Sequence, residues 1–366
     1  MSYYPGAPPG SPMGRNFILN GDMAVDQNKA GGAYSSTSTE VYSLDQWRYA
    51  GATGSTGVFS VQRVASSAPG FPYSLNNVVT TTQASLAATD NFHIEYAIEA
   101  NSIPLLQFGT ANAVTVALSF WVYASTTGNY SVSLMEGTNS RSYVTTYNVA
   151  VANTWQKQTI IIPGDTSGTY QTGVGQFGLK VIWSLGVGST YSTSTSETWQ
   201  GAAYWNKTGS QQFITEANSS TLYITGVQFE IGKAATNFEY TAPSQMLLNL
   251  QRYYFKTFPQ TTAVAQSAGA GGALTYLAQI ASTTAGGGQM LKYPVQMSTT
   301  PTIVTYNPSA ANANWRNSSA GSDSGSPTVF FSSVDGAYVY NPQVAGDLAA
   351  ALLTIHLVAD ARLGGS

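Results

Sequence analysis

Short runs of alternating apolar and polar residues recur along most of the chain, separated by turns rich in Gly, Ser, Thr and Asn. A period of two marks a strand with one buried face. Residues 58–64 alternate in this way. In 115–123, Val116, Leu118, Phe120 and Val122 share a face. Residues 130–135 alternate up to Glu136-Gly137, and 155–162 stop at Pro163-Gly164-Asp165. Residues 177–185 line up Phe177, Leu179, Val181 and Trp183. Residues 222–230 line up Leu222, Ile224, Val227 and Phe229, with Gly226 as a bulge. Phe17, Ile18 and Leu19 read as an opening strand stopped by the turn Asn20-Gly21, and 42–49 as a strand carrying Trp47. Residues 92–99 fit either a turn or a short strand.

The clearest helical spacing follows Pro243. Ser244 is placed to cap a short helix, and Met246, Leu247, Leu250, Tyr253 and Tyr254 recur at intervals of three or four. This stripe either meets its copies around a threefold axis or packs on its own sandwich. Beyond it, 274–280, 302–306, 328–332, 337–340 and 350–359 read as strands, with 268–272 and 285–288 as glycine loops. No fixed-period repeat argues for a solenoid or propeller. The pattern predicts an all-β chain. A sandwich or jelly roll over 16–240 is followed by a connecting amphipathic helix over 241–256. A smaller C-terminal β-sandwich or barrel then spans 257–366. Residues 1–15 hold Tyr3, Tyr4, Pro5, Pro8, Pro9 and Pro12 among glycines, which predicts an extended tail. That tail is either a disordered terminus or a docking peptide for a partner protein.

Composition sharpens this picture. The chain has 366 residues, enough for two or three domains of roughly 100–200 residues each. Charged residues are only 8%, whereas aromatics are 12%, with 23 Tyr and 7 Trp. Disorder would require few aromatics, so the combination indicates a rigid, neutral-polar β protein whose stability is little exposed to salt screening. The net charge of −3 provides no basic field for nucleic acid. With no cysteine there is no disulfide, thiolate metal site or thiol chemistry. The start of the chain does not read as a signal peptide, and no apolar stretch approaches the roughly 20 residues of a membrane helix. The expected route is synthesis in a host cytoplasm and an external role reached by assembly.

Four segments, in their order and spacing, resemble the tail-fibre and receptor-binding proteins of bacteriophage virions. They are Asn16-Phe-Ile-Leu-Asn-Gly-Asp-Met23 and Tyr42-Ser-Leu-Asp-Gln-Trp-Arg48, then Leu118-Ser-Phe-Trp-Val122 with Asn153-Thr-Trp-Gln156 and Ile161-Ile-Pro-Gly-Asp-Thr166. The last is Ile224-Thr-Gly-Val-Gln-Phe-Glu-Ile-Gly232 with Gln251-Arg-Tyr-Tyr254. The resemblance covers roughly 16–256, and 292–301 and 354–363 look like the partner region of such proteins. It implies a carbohydrate-binding jelly roll, a homotrimer, and attachment of the N-terminal tail to other virion proteins of the baseplate, tail or capsid. The tail here is shorter than in long fibres, which leaves the attachment point open.

The chemistry points to binding. The histidines, His93 and His356, are far apart and read as strand or helix residues. Gly286-Gly-Gly288 lacks the Lys and Ser/Thr of a nucleotide loop. Paired carboxylates about 5–9.5 Å apart would serve glycoside hydrolysis. Asp22 with Asp26, or Glu95 with Glu99, would be neighbours if helical, but read as solvated pairs. Asp165 is a turn carboxylate open to calcium, although no calcium-loop spacing is present. Sugar recognition needs aromatic faces and hydrogen-bonding amides. Tyr191, Trp199, Tyr204 and Trp205, with Glu197, Gln200 and Asn206, provide these in one loop-like stretch, or else anchor that loop. Asn314, Trp315 and Arg316, beside Asn312, form a second candidate. The expectation is a virion appendage, free of cofactor or metal, that binds host-surface polysaccharide without membrane insertion. A structural capsid-decoration, head-fibre or collar protein and a tailspike-type glycan depolymerase are the alternatives.

Overall fold

The computed structural model describes residues 15–36, 40–52, 54–278, 286–342 and 351–364. The tail residues Tyr3, Tyr4, Pro5, Pro8 and Pro9 lie outside the described residues. The chain divides into two units: Met1–Val25 with Gly31–Pro243, and Asp26–Ala30 with Ser244–Ser366. Among the described residues the fold is all-β with one short α-helix. No helix among the described residues is long and apolar enough to cross a membrane.

The first unit is a jelly-roll β-sandwich. Its strands are β1 (Tyr34–Ser35), β2 (Val41–Tyr42), β3 (Trp47–Ala50), β4 (Val58–Ala65) and β5 (Tyr73–Thr81). They continue as β6 (Asn91–Glu99), β7 (Val116–Ala124), β8 (Gly128–Glu136), β9 (Ser142–Val149) and β10 (Gln156–Ile162). After β11 (Phe177–Val187) come three two-residue strands, β12 (Ser192–Thr193), β13 (Trp199–Gln200) and β14 (Asn206–Lys207). The last is β15 (Thr221–Ile231). One sheet has the order β1-β4-β5-β15-β7-β10 and the other β13-β9-β8-β11-β6-β3-β2. The chain passes repeatedly from one sheet to the other, as a jelly roll requires.

Aromatic rings join the two sheets. Phe120 on β7 meets Trp183 on β11 edge-on at 5.5 Å and Tyr147 on β9 at 5.1 Å. Trp183 contacts Trp47 at 5.5 Å, and Trp47 contacts Tyr96 at 5.4 Å. All five are buried. The alternation of Val116, Leu118, Phe120 and Val122 therefore points inward, as the pattern predicts. Gly226 is the expected bulge: the β15–β7 register shifts between Thr225 and Gln228, and Gly226 has φ +59°. A Cβ there would lie 2.5 Å from the Phe71 ring.

Several expectations need correction. Phe17, Ile18 and Leu19 are buried but form no strand. The Asn16 amide takes over: its Oδ1 accepts from Phe229 N–H at 2.9 Å and Ile18 N–H at 3.0 Å, and its Nδ2 donates to Val227 O at 3.1 Å. A side chain thus satisfies backbone groups near the β15 bulge. Residues 42–49 are two strands around a turn, with Gln46 at φ +69° and Ser43 N–H donating to Trp47 O at 2.8 Å. Residues 92–99 belong to strand β6. Phe177 leaves its expected face, because β11 shifts register between Phe177 and Leu179. Strands β5 and β9 escaped the periodicity. The run Tyr73-Ser-Leu-Asn-Asn-Val-Val-Thr-Thr81 does not alternate and holds two β-depleted asparagines. Buried Asn77 is accommodated by donating to Leu222 O at 3.0 Å.

The second unit opens with helix α1 (Pro243–Gln251). Pro243 occupies its first position, so Ser244 lies inside the helix and is not its cap. Met246, Leu250, Tyr253 and Tyr254 are buried within a single chain, and Leu247 is half-buried. Four of the five side chains of the expected contact stripe are therefore spent inside the chain, and Leu247 alone keeps accessible surface. Strand Ala351–Asp360 organises this unit: Tyr254–Lys256, Leu274–Ala278, Thr302–Tyr306 and Arg316–Asn317 all pair with it. A separate three-stranded sheet joins Gly287–Lys292, Gly336–Asn341 and Thr328–Ser332. The expected glycine loop thus contributes Gly287 and Gly288 to a strand. Residues 279, 280 and 350, at the ends of two predicted strands, lie outside the described residues.

Two predictions concern stability. Gly226→Ala combines positive φ with a ring contact. It is expected to lower the urea midpoint by about 1–3 kcal/mol equivalent without changing the m-value. Unchanged stability would remove the bulge from this account. In the second unit, His356 stacks on Phe258 at 3.9 Å, with Nδ1 3.0 Å from Thr257 Oγ1 and Nε2 2.8 Å from Gly269 O. Burial pushes its pKa down, opposed by the Gly269 carbonyl. A lowered histidine contributes stability above its ordinary value of about 6.5 and loses it as pH falls through the folded value. Calorimetry from pH 7 to 5 is expected to show falling stability, with a shallower slope in His356→Gln.

Candidate functional site

The predicted aromatic stretch separates into two parts. Trp205 is only 7% exposed, stacks on Tyr191 at 4.6 Å and 12°, and sets its ring against His93 at 4.8 Å. With Met135, Ile182 and Val187 it forms an apolar cover over the seven-stranded sheet. Tyr191 and Trp205 are therefore loop anchors, and their stacked faces are spent on each other. Buried Asn206 donates to Lys207 O, and Tyr204 is fastened by its N–H to Ser142 Oγ at 3.0 Å. Glu197 N–H donates to Val144 O at 2.8 Å.

Trp199 belongs elsewhere. Strand β13 pairs Trp199 with Tyr143 of β9, and the rings lie 5.6 Å apart. Trp199 Nε1 donates to Pro163 O at 2.8 Å, and its ring meets Phe108 at 5.6 Å and 75°. Phe108 in turn meets Tyr170 at 5.5 Å and 72°. These contacts lead to a cleft of about 350 Å³ lined by Phe108, Tyr170, Gln107, Asn112, Gln171 and Thr172, among others. Gln107, Asn112 and Thr172 are exposed, while Tyr170 and Gln171 are half-buried. Trp199 supports Phe108 from outside the lining.

The loops that build the cleft are fixed by an ion pair. Arg141 reaches Asp165 with Nε at 2.5 Å from Oδ2 and Nη2 at 2.8 Å from Oδ1. Tyr170 OH donates to Asp165 Oδ2 at 3.0 Å, and Ser167 N–H to Oδ1 at 3.1 Å. The hydrogen bonds that Arg141 donates to Asp165 hold its pKa up. Burial, then the Asp165 charge, pushes Tyr170 up, so it remains a neutral phenol. A bidentate guanidinium is among the stronger side-chain contacts. It leaves Asp165 no oxygen for the calcium alternative, because the residue is buried and both of its oxygens are engaged by Arg141, Tyr170 and Ser167. Close backbone approach completes the frame: a Cβ on Gly109, at φ +85°, would fall 2.6 Å from Gly168 O.

A second aromatic surface lies on the six-stranded sheet. Tyr123 and Tyr223 are directly paired, and Trp155 joins them with Nε1 donating to Ser67 Oγ at 3.2 Å. The hollow beside them is smaller, about 200 Å³. Its rings are mutually tilted by 53°, 85° and 64°, so they share no flat face.

The C-terminal candidate is corrected outright. Trp315 is fully buried in the core of the second unit, edge-on to Tyr276 at 5.1 Å. Arg316 pairs with Asp323 at 3.1 Å, and Asn314 Oδ1 accepts from Ser326 Oγ at 3.0 Å. Glu95 and Glu99 are buried strand residues, not a solvated helical pair. His93 and His356 lie in strands, one of the two settings predicted.

Gln107, Phe108, Asn112, Tyr170 and Gln171 were not legible as a site, since two irregular loops bring them together. The Trp155 surface did leave a signal: Tyr123 falls on the polar face of an otherwise regular alternation.

No family model matches the chain, and no curated protein matches it. Solved structures align with part of the chain at low identity. The carbohydrate-binding module TmCBM61, in complex with β-1,4-galactotriose, is 11% identical and has a TM-score of 0.30, covering 60% of this chain and 99% of the module. The family 11 carbohydrate-binding module of a cellulosomal cellulase from Clostridium thermocellum is 12% identical, TM-score 0.29, covering 59% and 94%. The enzymatically active domain of tailspike protein 4 from bacteriophage CBA120 is 11% identical, TM-score 0.29; the match covers 59% of this chain and only 21% of that one.

Proposed function

We propose that the first unit binds a bacterial surface polysaccharide non-covalently, in the cleft between the 103–112 and 170–172 loops, and that the chain serves as a bacteriophage virion appendage. The cleft carries the glycan reading. The half-buried Tyr170 ring, backed by buried Phe108, suits the C–H side of a pyranose, and the amides of Gln107, Asn112 and Gln171 suit its hydroxyls. Its volume of about 350 Å³ falls at the small end of ligand sites, enough for one or two sugar rings. The Trp155 hollow is smaller and its rings are not coplanar, which favours the cleft. The Arg141–Asp165 pair holds the site in shape before the ligand arrives, which limits the ordering cost of binding.

The virion reading is supported by the order of the sequence segments and by a neutral, aromatic-rich composition. Trimeric assembly belongs to the same proposal, since repeated sites multiply weak affinities. Its contact surface is not the buried α1 stripe. Asp165, the buried carboxylate that braces the cleft loops, is committed to Arg141 and is not part of the lining, which favours binding over glycoside hydrolysis.

The test is binding of the purified chain to immobilised host polysaccharide. Tyr170→Ala and Asn112→Ala are each expected to weaken binding about tenfold, roughly 1.4 kcal/mol, while Trp155→Ala changes it less than about twofold. Loss of binding in Trp155→Ala with the cleft variants unaffected would move the site to the sheet surface. Chain shortening of the polysaccharide during incubation would replace binding by catalysis.

A further inference from the structure

A polar cluster with a buried histidine at its centre shares no residue with the cleft lining and takes no part in the glycan reading. Strand β6 places His93 and Glu95 two residues apart, on one face of the seven-stranded sheet. Arg48 on β3 is directly opposite Glu95, and Glu40 precedes β2 at the same edge. His93 is fully buried. Its Nδ1 is 3.1 Å from Asn91 O, which fixes that nitrogen as the N–H donor and leaves Nε2 with its lone pair. Nε2 has no hydrogen-bond partner. It lies 3.6 Å from Glu40 Oε1 and 3.8 Å from Glu95 Oε2, too far for a hydrogen bond to either.

The Arg48 guanidinium explains the arrangement of the carboxylates. Its Nη1 binds Glu95 Oε1 and its Nη2 binds Glu40 Oε2. One oxygen of each carboxylate is therefore held by the fork, and the other faces His93. The two free oxygens and Nε2 all lie within 4.8 Å of one another. Zn–N and Zn–O bonds of about 2.0–2.2 Å place tetrahedral ligand atoms roughly 3.3–3.6 Å apart, only a few tenths of an ångström tighter than the two N–O separations here. Each ligand already has its outer partner: the Asn91 carbonyl for His93 and Arg48 for both carboxylates. Trp205 closes the ring side of His93, and Arg48 is itself braced over Phe177 at 4.9 Å. Lys180, the other nearby cation, has its Nζ on Asn139 Oδ1 at 3.0 Å. The two carboxylates outweigh the directly bound Arg48, and Lys180, whose charge also acts on Glu40, offsets the remainder from beyond hydrogen-bond reach of either carboxylate.

We infer that Glu40 Oε1, His93 Nε2 and Glu95 Oε2 form a three-ligand site for a first-row divalent cation. One imidazole with two carboxylates selects a borderline ion such as Zn²⁺ over Ca²⁺ or Mg²⁺, which prefer all-oxygen shells. Glu40, 37% exposed, is the side from which the ion and a fourth ligand enter. The inference stands independently of the glycan reading.

The test uses the untagged full chain, stripped with EDTA and titrated with ZnCl₂ by calorimetry. One Zn²⁺ per chain is expected, together with a melting temperature that rises with Zn²⁺ concentration. Co²⁺ in place of Zn²⁺ is expected to give a visible d–d band. Glu40→Gln removes a ligand at the exposed rim and is expected to weaken Zn²⁺ at least tenfold while leaving the apo fold intact. His93→Gln is expected to abolish binding. No stoichiometric binding to the folded chain, or binding unchanged in Glu40→Gln, would overturn the site and leave the cluster as an ion-pair network alone.

Discussion

Everything in the first unit depends on the contact between Phe120 and Trp183. These two rings come from opposite sheets, and each sits near the middle of its strand. Trp183 extends the contact to Trp47 and Tyr96, and Phe120 extends it to Tyr147 and Tyr130. The result is one aromatic network across the sandwich, with ring pairs that add about 0.5–1.5 kcal/mol each beyond buried area. The loops that frame the cleft are attached to strands fixed by this network. Residues 104–114 lead into β7, which carries Phe120, and residues 163–176 lead into β11, which carries Trp183.

A chain with so few charges must satisfy its buried backbone by other means, and it does so with neutral side chains. Asn16 acts in place of a ladder beside the β15 bulge, and Asn77 bonds to Leu222 O from within a strand. Its ion pairs are correspondingly concentrated where geometry must be held. Arg141 and Asp165 set the cleft loops, while Arg48 orients Glu40 and Glu95 beneath the Trp205 cover. Arg15 reaches buried Glu230 at 3.1 Å and gives its N–H to Glu239 at 2.7 Å, tying the first described residue to the end of the sandwich. Partly buried, hydrogen-bonded pairs of this kind fix position more dependably than they add stability.

The sandwich was legible because three neighbouring strands of one sheet, β15, β7 and the edge strand β10, obey the period-two rule, and Gly226 announced its own bulge. What escaped the sequence was whatever side chains replaced regular pairing. Residues 17–19 look like a strand, yet their N–H groups go to three different acceptors: Phe229 O, the Asn16 amide and the Tyr96 hydroxyl. Strand β5 looks irregular because Asn76 and Asn77 interrupt it. The site was legible only in part. Trp199 reads in the sequence as a sugar-facing ring, but it lies outside the cleft lining and backs Phe108 at a distance in sequence that no local pattern reveals. Trp315 and Trp205 illustrate the opposite error, since an indole in a polar loop is as able to anchor that loop as to face a sugar. Burial decides between these, and burial of a loop tryptophan is a tertiary property.

The central claim is that a preformed cleft on a rigid sandwich takes the glycan. Hydrogen exchange of the full chain, with and without host polysaccharide, tests it most directly. The account predicts slowed exchange in residues 103–112 and 165–172, with the β7, β11 and β15 amides unchanged because the core is already formed. Protection confined to the Trp155 surface, to 191–206 or to the second unit would contradict it.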